Sequence, residues 1–168
     1  MAGSSRTYDY LVALGSNRRH VRWGAPEGVL PAAMAELGVA KASAVIASAP
    51  LGPSRRRYAN AVALLRTEEL PPDLLARLKA MERRFGRRRG GRRWGSRVLD
   101  LDLVLWSGGC WASRGLIVPH VAFRERPFVL APAGQIAPDW RDPVTGLTLR
   151  QLQARLSRRL TRPLPLPR

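Results

Sequence analysis

The sequence predicts an α+β fold in which one antiparallel sheet carries two helices on the same face. Three observations support this fold: short apolar or alternating segments, two longer segments with apolar residues at helical spacing, and glycine or proline between them. In chain order these segments give β-α-β-β-α-β, two split β-α-β units. This is the order of a ferredoxin-like sheet, and the residues that follow predict an appended C-terminal hairpin and helices.

The chain length predicts a single domain. Its 168 residues allow one hydrophobic core. We expect residues 1–7 to be a disordered lead-in, 8–160 the domain and 161–168 a loose proline-rich tail. The first residues lack the apolar core of a signal peptide, no run approaches the roughly 20 apolar residues of a membrane span, and the single Cys110 excludes an internal disulfide. These features together favour a cytoplasmic location.

The N-terminal half supplies the first β-α-β-β. Tyr8–Leu14 is an apolar run that predicts a strand. Val29–Leu37 has apolar residues at helical spacing, with Pro31 expected in the first turn or at a kink. The β-permissive segments Val39–Ser48 and Tyr58–Arg66 predict the next two strands.

The C-terminal half begins with the clearest helix. It starts at Pro71 and ends at Gly86, with one apolar face made of Leu74, Leu75, Leu78, Met81 and Phe85. In the strand that follows, alternation places Asp100, Asp102, Val104 and Trp106 on one face and Leu99, Leu101, Leu103 and Leu105 on the other. Beyond it we predict a small hairpin over 110–118, a loop over 119–128 and a short basic helix over 147–160.

The charge indicates an anionic ligand. The chain has a formal net charge of +17, and all its basic residues except Lys41 and Lys79 are arginine. Such a charge suits nucleic acids and other polyanions, although a codon-usage bias produces the same composition. Glycine-rich phosphate-binding motifs of the Walker and G-x-G-x-x-G types are absent from the sequence, so phosphate would be held by arginine and metal.

Asp100 and Asp102 are candidate metal ligands. Side chains two apart on a strand lie about 6 to 7 Å apart, which suits two carboxylates that bracket two divalent ions roughly 3.5 to 4 Å apart. The preceding segment 86–97 carries six arginines that could neutralise phosphates. Alternation alone is typical of any half-buried strand, and arginine-rich loops are usually solvated, so the adjacency of the two features is what indicates phosphate chemistry.

Five ordered blocks between about residues 8 and 152 resemble the 6-hydroxymethyl-7,8-dihydropterin pyrophosphokinase family. They are Leu14–Asn17, then Pro50–Pro53 with Tyr58 and Asn60, then Glu82–Arg89, then Arg93–Asp102, and finally Val118–His120 with Arg126 and Phe128. The resemblance implies transfer of the β,γ-pyrophosphoryl group of ATP to the hydroxymethyl oxygen of a reduced pterin in folate biosynthesis, with release of AMP. It implies ATP and a reduced pterin as partners, and we expect a monomer with no membrane and no specific nucleic-acid partner.

The resemblance also implies residue roles. Asp100 and Asp102 would bind two Mg²⁺ ions, which prefer oxygen ligands. Charge on the transferred group would be stabilised by Arg87 and Arg97. ATP would be bound by Glu82, Arg89, Arg97, Leu103, His120 and Arg126. The pterin would be bound by Ser48, Pro50, Leu51, Tyr58, Asn60, Trp94 and Phe128, with Tyr58 and Phe128 on the two faces of the ring.

Several positions depart from the family pattern. These are Ser48, Ala49, Lys79, Ser96, Gly115, Val121 and a longer segment over 18–24. An RNA-binding module of the same topology is the alternative hypothesis, because the sheet and the charge suit it. Such a module needs exposed aromatic residues on its central strands, whereas Asp100 and Asp102 would repel phosphate unless a metal intervened. A further alternative is an inactive relative that retains only binding.

Overall fold

The structure is a computed structural model that describes residues 6–49, 57–86 and 97–161. The predicted lead-in and tail therefore lie largely outside the described residues. The described elements, in chain order, are β1 (Tyr8–Ser16), α1 (Pro26–Leu37), β2 (Lys41–Ala42), β3 (Ile46–Ser48), β4 (Tyr58–Thr67), α2 (Pro71–Arg84), β5 (Asp100–Trp106), β6 (Trp111–Ser113), β7 (Leu116–Val118), a 3₁₀ turn (Phe123–Glu125), α3 (Pro127–Ile136) and α4 (Leu149–Thr161).

The predicted antiparallel α+β sheet is confirmed. Its order is β2-β4-β1-β5, β3 also pairs with β4, and each pairing is antiparallel. The strand predicted over Val39–Ser48 is therefore two short strands, β2 and β3, which both pair with β4. β6 and β7 form the appended hairpin. Among the described residues, no helix is long and apolar enough to cross a membrane.

Two apolar clusters lie on opposite faces of the sheet. One cluster joins α1 and α2 to the sheet and includes Tyr10, Leu14 and Leu101. The other joins α3 and α4 to the opposite face and includes Leu11 and Val62. Burial of these faces supplies the main driving force for folding, at about 25 cal/mol per Å² of apolar surface. The appended helices therefore cover part of the face that a bare ferredoxin-like sheet would leave open.

The predicted alternation of β5 holds through Val104 and is wrong for Leu105 and Trp106. The register with β1 shifts between Leu11 and Val12, which pair with Leu105 and Leu103. A bulge of this kind places one extra residue in a strand and changes which face the following side chains occupy. As a result Leu105 packs on the α3 and α4 side with Val104, and Trp106 packs on the α1 and α2 side.

Two helix predictions also differ from the structure. α1 begins at Pro26 rather than Val29, because proline is well tolerated in a first turn, and Pro31 lies within the helix. The loop predicted over 119–128 leads into α3, a helix that was not predicted. The buried residues of α3 include Val129, Leu130 and Ala133, whose spacing is helical.

Candidate active site

A cleft opens where β1, β4 and β5 meet the start of α3. Nine of the residues predicted to bind metal, ATP or pterin line it: Ser48, Tyr58, Asn60, Arg97, Asp100, Asp102, His120, Arg126 and Phe128. They come from β3, β4, the residues before β5, β5 itself, the loop after β7 and the first turn of α3. The fold therefore brings together side chains that are up to 80 residues apart in the sequence.

Small residues of β1 separate the two halves of the cleft. Gly15 pairs with Asn60 on one side and with Asp100 on the other, so the three lie side by side across three strands. A Cβ atom at Gly15 would lie 3.6 Å from Asn60 Oδ1 and 4.0 Å from Asp100 Cβ. Ala13 pairs with Asp102 in the same way. Ala13, Leu14 and Val129 also line the cleft and were not predicted to do so, and Gly15 had been given no role of its own.

Each acid of β5 faces a cation. Arg97 Nη1 donates to Asp100 Oδ1 at 2.6 Å, and Arg126 Nη1 donates to Asp102 Oδ2 at 3.4 Å. The side chains of Asp100 and Asp102 are 26% and 32% exposed, so both remain accessible from the cleft. A guanidinium thus lies beside each carboxylate, an arrangement that suits an anionic ligand such as a polyphosphate.

The backbone of Arg97 is fixed by a residue at the end of β1. Arg97 N donates to Asn17 Oδ1 at 2.7 Å, and Asn17 N donates to Arg97 O at 3.1 Å. Asn17 is almost fully buried, so this pair of hydrogen bonds is shielded from water. The guanidinium of Arg97 consequently projects into the cleft from an anchored position.

His120 lies beside Asp102. Its Nε2 is 3.7 Å from Asp102 Oδ2, and its Nδ1 accepts a hydrogen bond from Ala122 N at 3.2 Å. Burial lowers the pKa of His120, and the nearby Arg126 and Lys79 lower it further, whereas Asp102 and Asp100 oppose the change. The ring is therefore neutral at pH 7, with the hydrogen-bond pattern assigning its proton to Nε2.

The opposite half of the cleft is built from β3, β4 and α3. Asn60 Nδ2 donates to Ser48 Oγ at 2.8 Å, which fixes the orientation of the carboxamide. Burial raises the pKa of the Tyr58 hydroxyl, so the phenol stays protonated. The guanidinium of Arg126 lies over the ring of Phe128, with Arg126 Cζ 5.8 Å from the ring centroid. This half offers aromatic surface and an oriented amide, the features that suit a flat heterocycle with polar edges.

Two predicted ATP contacts do not line the cleft. Glu82 is 0% exposed and accepts the backbone N–H of Leu101, and Leu103 is buried in the α1 and α2 cluster. Their predicted roles remain untested. The predicted residues Arg87, Arg89, Trp94, Pro50 and Leu51 lie outside the described residues.

The two carboxylates fit a magnesium site that also uses ligands from a substrate. Within residues 6–49, 57–86 and 97–161, no cluster of three or more His, Cys, Asp or Glu side chains could hold a metal by itself. Mg²⁺ usually binds through one or two carboxylates together with phosphate oxygens and water. Two accessible carboxylates on adjacent positions of one strand face are such a donor set.

Comparison with known proteins identifies the family. Residues 11–138 match the model of 7,8-dihydro-6-hydroxymethylpterin-pyrophosphokinase (HPPK). The chain belongs to this family. It is 41% identical over 121 residues to the 2-amino-4-hydroxy-6-hydroxymethyldihydropteridine pyrophosphokinase of Synechocystis sp., covering 72% of this chain and 62% of that protein. It is also 41% identical over 139 residues to the Pseudomonas aeruginosa protein of the same name, covering 79% and 82%.

A solved structure supports the HPPK fold. The Plasmodium falciparum HPPK-DHPS protein with pteroate has a TM-score of 0.69 at 11% identity, covering 94% of this chain and 44% of that one. The alternative hypothesis of an RNA-binding module is not supported by these comparisons. The structure argues against it as well, because α3 and α4 bury Leu11, Val62 and Val104 on the sheet face that would have to stack bases.

Proposed function

We propose that this chain transfers the β,γ-pyrophosphoryl group of ATP to the hydroxymethyl oxygen of 6-hydroxymethyl-7,8-dihydropterin. The bond between the α-β bridging oxygen and the β-phosphorus breaks, a bond from the pterin oxygen to the β-phosphorus forms, and AMP leaves with the bridging oxygen. The hydroxyl proton of the pterin is released. The observation that carries the proposal is the convergence in one cleft of nine residues to which the resemblance assigns metal, ATP or pterin binding.

The pterin would occupy the half of the cleft near β4. Tyr58 and Phe128 would contact the two faces of the ring, since aromatic faces suit a planar heterocycle. Asn60 would bond the polar edge of the ring, because a carboxamide offers a donor and an acceptor together. Ser48 orients that amide through the hydrogen bond described above. Gly15 then separates the pterin from the acids by the width of one strand.

The triphosphate would occupy the half near β5. Asp100 and Asp102 would hold two Mg²⁺ ions. When bound, these ions would neutralise phosphate charge. Arg97 stabilises negative charge on the transferred group, as positioned cations do in phosphoryl transfer. Arg126 and the neutral His120 bind nucleotide oxygens. These residues position the ATP and stabilise the charge on the transferred group, and the proposal assigns no general base.

The remaining predicted residues enter the proposal on the resemblance alone. Arg87 would assist Arg97, Arg89 would bind ATP, and Pro50, Leu51 and Trp94 would enclose the pterin. Leu103 would contact ATP through its backbone, since its side chain is buried on the other face of the sheet. The proposal takes the chain to act as a cytoplasmic monomer.

The test is product analysis. The purified chain is incubated with the reduced hydroxymethylpterin, ATP and Mg²⁺, and the nucleotide products are separated. We expect AMP and the pterin diphosphate in equal amounts, and no AMP with a dihydropterin that lacks the hydroxymethyl group. Formation of ADP in place of AMP, or no turnover with the complete substrate, would refute the proposed reaction.

A further inference from the structure

We infer that Lys79 and Glu82 of α2 act together as positioning residues that fix the directions of Asp100 and Asp102. The inference rests on the proposed function, since it concerns the two acids assigned to the metal-bound triphosphate. Neither residue lines the cleft. Their effect would therefore pass through the strand that carries the acids.

β5 lies at the edge of the described sheet. Within the part of the chain that the structure describes, β5 pairs with β1 on one side, and α2 packs beside it. Leu101, which separates the two acids, is in register with Leu14 of β1. An edge strand presents backbone groups that another strand would otherwise bind, and buried groups of this kind need partners.

The Lys79–Glu82 pair supplies those partners. Glu82 Oε1 accepts the N–H of Leu101 at 2.7 Å, and Lys79 Nζ donates to the C=O of Leu101 at 3.1 Å. The same two side chains contact each other, with Lys79 Nζ 2.8 Å from Glu82 Oε1. The three contacts form a closed arrangement around one residue of the strand.

The geometry of the peptide bonds connects this arrangement to the acids. The N–H of Leu101 belongs to the planar peptide unit that follows Asp100, and its C=O belongs to the unit that precedes Asp102. Fixing both planes restricts the backbone rotation that sets the direction of each Cα–Cβ bond. The two carboxylates therefore project from a section of strand that cannot rotate without breaking a hydrogen bond to α2.

The burial of Glu82 makes the arrangement stiff. The Glu82 side chain is 0% exposed, whereas that of Lys79 is 35% exposed. A buried carboxylate is costly to leave without its cation and its hydrogen bonds, so the pair resists separation. Groups that orient metal ligands in this indirect way typically change metal affinity or activity about 10- to 100-fold when they are removed.

A second ion pair on α2 provides a matched control. Arg77 Nη2 lies 2.7 Å from Glu69 Oε2, and these side chains are 37% and 30% exposed. The hydrogen bonds of the Arg77 side chain go to Glu69, not to β5. Arg77→Met therefore removes an ion pair of similar N–O distance between α2 and the residues before it, while leaving the partners of Leu101 in place.

The experiment compares Lys79→Met with Arg77→Met and with the conservative variant Lys79→Arg. Three quantities are measured: the hydrogen-exchange rate of the Leu101 amide in metal-free protein, the affinity for Mn²⁺ alone, and the Mg²⁺ concentration that half-saturates AMP release. For Lys79→Met we expect Leu101 exchange to rise about tenfold or more, and metal affinity to fall roughly 10- to 100-fold. Turnover at saturating Mg²⁺ should change much less.

The controls separate positioning from general loss of structure. Arg77→Met should leave all three quantities at the wild-type values, and Lys79→Arg should restore most of the loss. If Lys79→Met does not fold, the double variant Lys79→Met/Glu82→Leu removes both charges together with both hydrogen bonds to Leu101 and carries the same expectation. Unchanged Leu101 exchange and metal affinity, or equal changes in Arg77→Met, would overturn the inference. Absence of AMP from the wild-type chain would instead refute the proposed function, while exchange and Mn²⁺ affinity would still decide the positioning role.

Discussion

Replacing Gly15 with alanine should stabilise the protein and impair catalysis. Gly15 has the extended backbone of a strand, which alanine adopts equally well, and it is not one of the positive-φ glycines. The added Cβ would meet Asn60 Oδ1 at 3.6 Å and Asp100 Cβ at 4.0 Å, both ordinary contacts. Glycine within a strand costs about 0.5 to 1 kcal/mol relative to alanine, so Gly15→Ala should raise the free energy of unfolding by about that amount.

The same methyl group would enter the cleft between the pterin half and the acid half. A displacement of about 1 Å in a reacting group can cost roughly a hundredfold in rate, so we expect kcat/KM to fall by about ten- to a hundredfold. Denaturant unfolding measures the first effect and the rate of AMP release measures the second. Unchanged kcat/KM in a variant that is folded and more stable would refute the placement of the substrates on either side of Gly15.

Two further predictions concern the arginines of the cleft and a buried ion pair that does not line it. Arg97→Ala should lower kcat about a hundredfold or more with little change in ATP affinity, whereas Arg126→Ala should mainly weaken ATP affinity. A defect of Arg97→Ala in ATP affinity alone would contradict the role of Arg97 in stabilising the transferred group. Asp142→Asn should destabilise the protein by about 3 kcal/mol at pH 7, because it breaks a pair in which Asp142 is 0% exposed and accepts two 2.7 Å bonds from Arg124. Burial raises the pKa of Asp142, but the hydrogen bonds from Arg124 and Thr145 outweigh it and lower the pKa below its usual value. The contribution of Asp142 to stability is therefore present above the unfolded pKa near 4 and is lost as pH falls through the folded pKa. The difference in free energy of unfolding between variant and wild type should shrink in acid. A difference that persists unchanged at low pH would contradict this account.

Local patterns predicted the central part of the fold. β1, β4 and α2 follow from their apolar residues, whose spacing directly reflects the face that each element buries. The bulge in β5 could not be predicted, because it depends on how the strand pairs with β1 rather than on the residues of β5. α3 carried a signal in the helical spacing of Val129, Leu130 and Ala133, but the predicted loop reached Phe128 and no helix was assigned to the residues after it.

The candidate site was only partly accessible from residue patterns. The alternation around Asp100 and Asp102 indicated two acids on one face, and the resemblance assigned roles to the remaining residues. Without the resemblance, Tyr58 and Phe128 would be interpreted as core residues and His120 as a loop residue. The contacts of Glu82 and Lys79 with Leu101 could not be foreseen, because they depend on where α2 packs along the edge strand.

The most direct test of the account is AMP release by Asp100→Asn and Asp102→Asn. Each change preserves the size of the side chain but removes a carboxylate that the proposal assigns to metal-bound triphosphate. Asp139→Asn is the matched control, since the Asp139 side chain is 82% exposed and pairs with Arg150 on the surface. We predict that AMP release falls by orders of magnitude in both site variants and stays at the wild-type rate in the control. Wild-type AMP release in either site variant would contradict the assignment of these two acids to the catalytic centre.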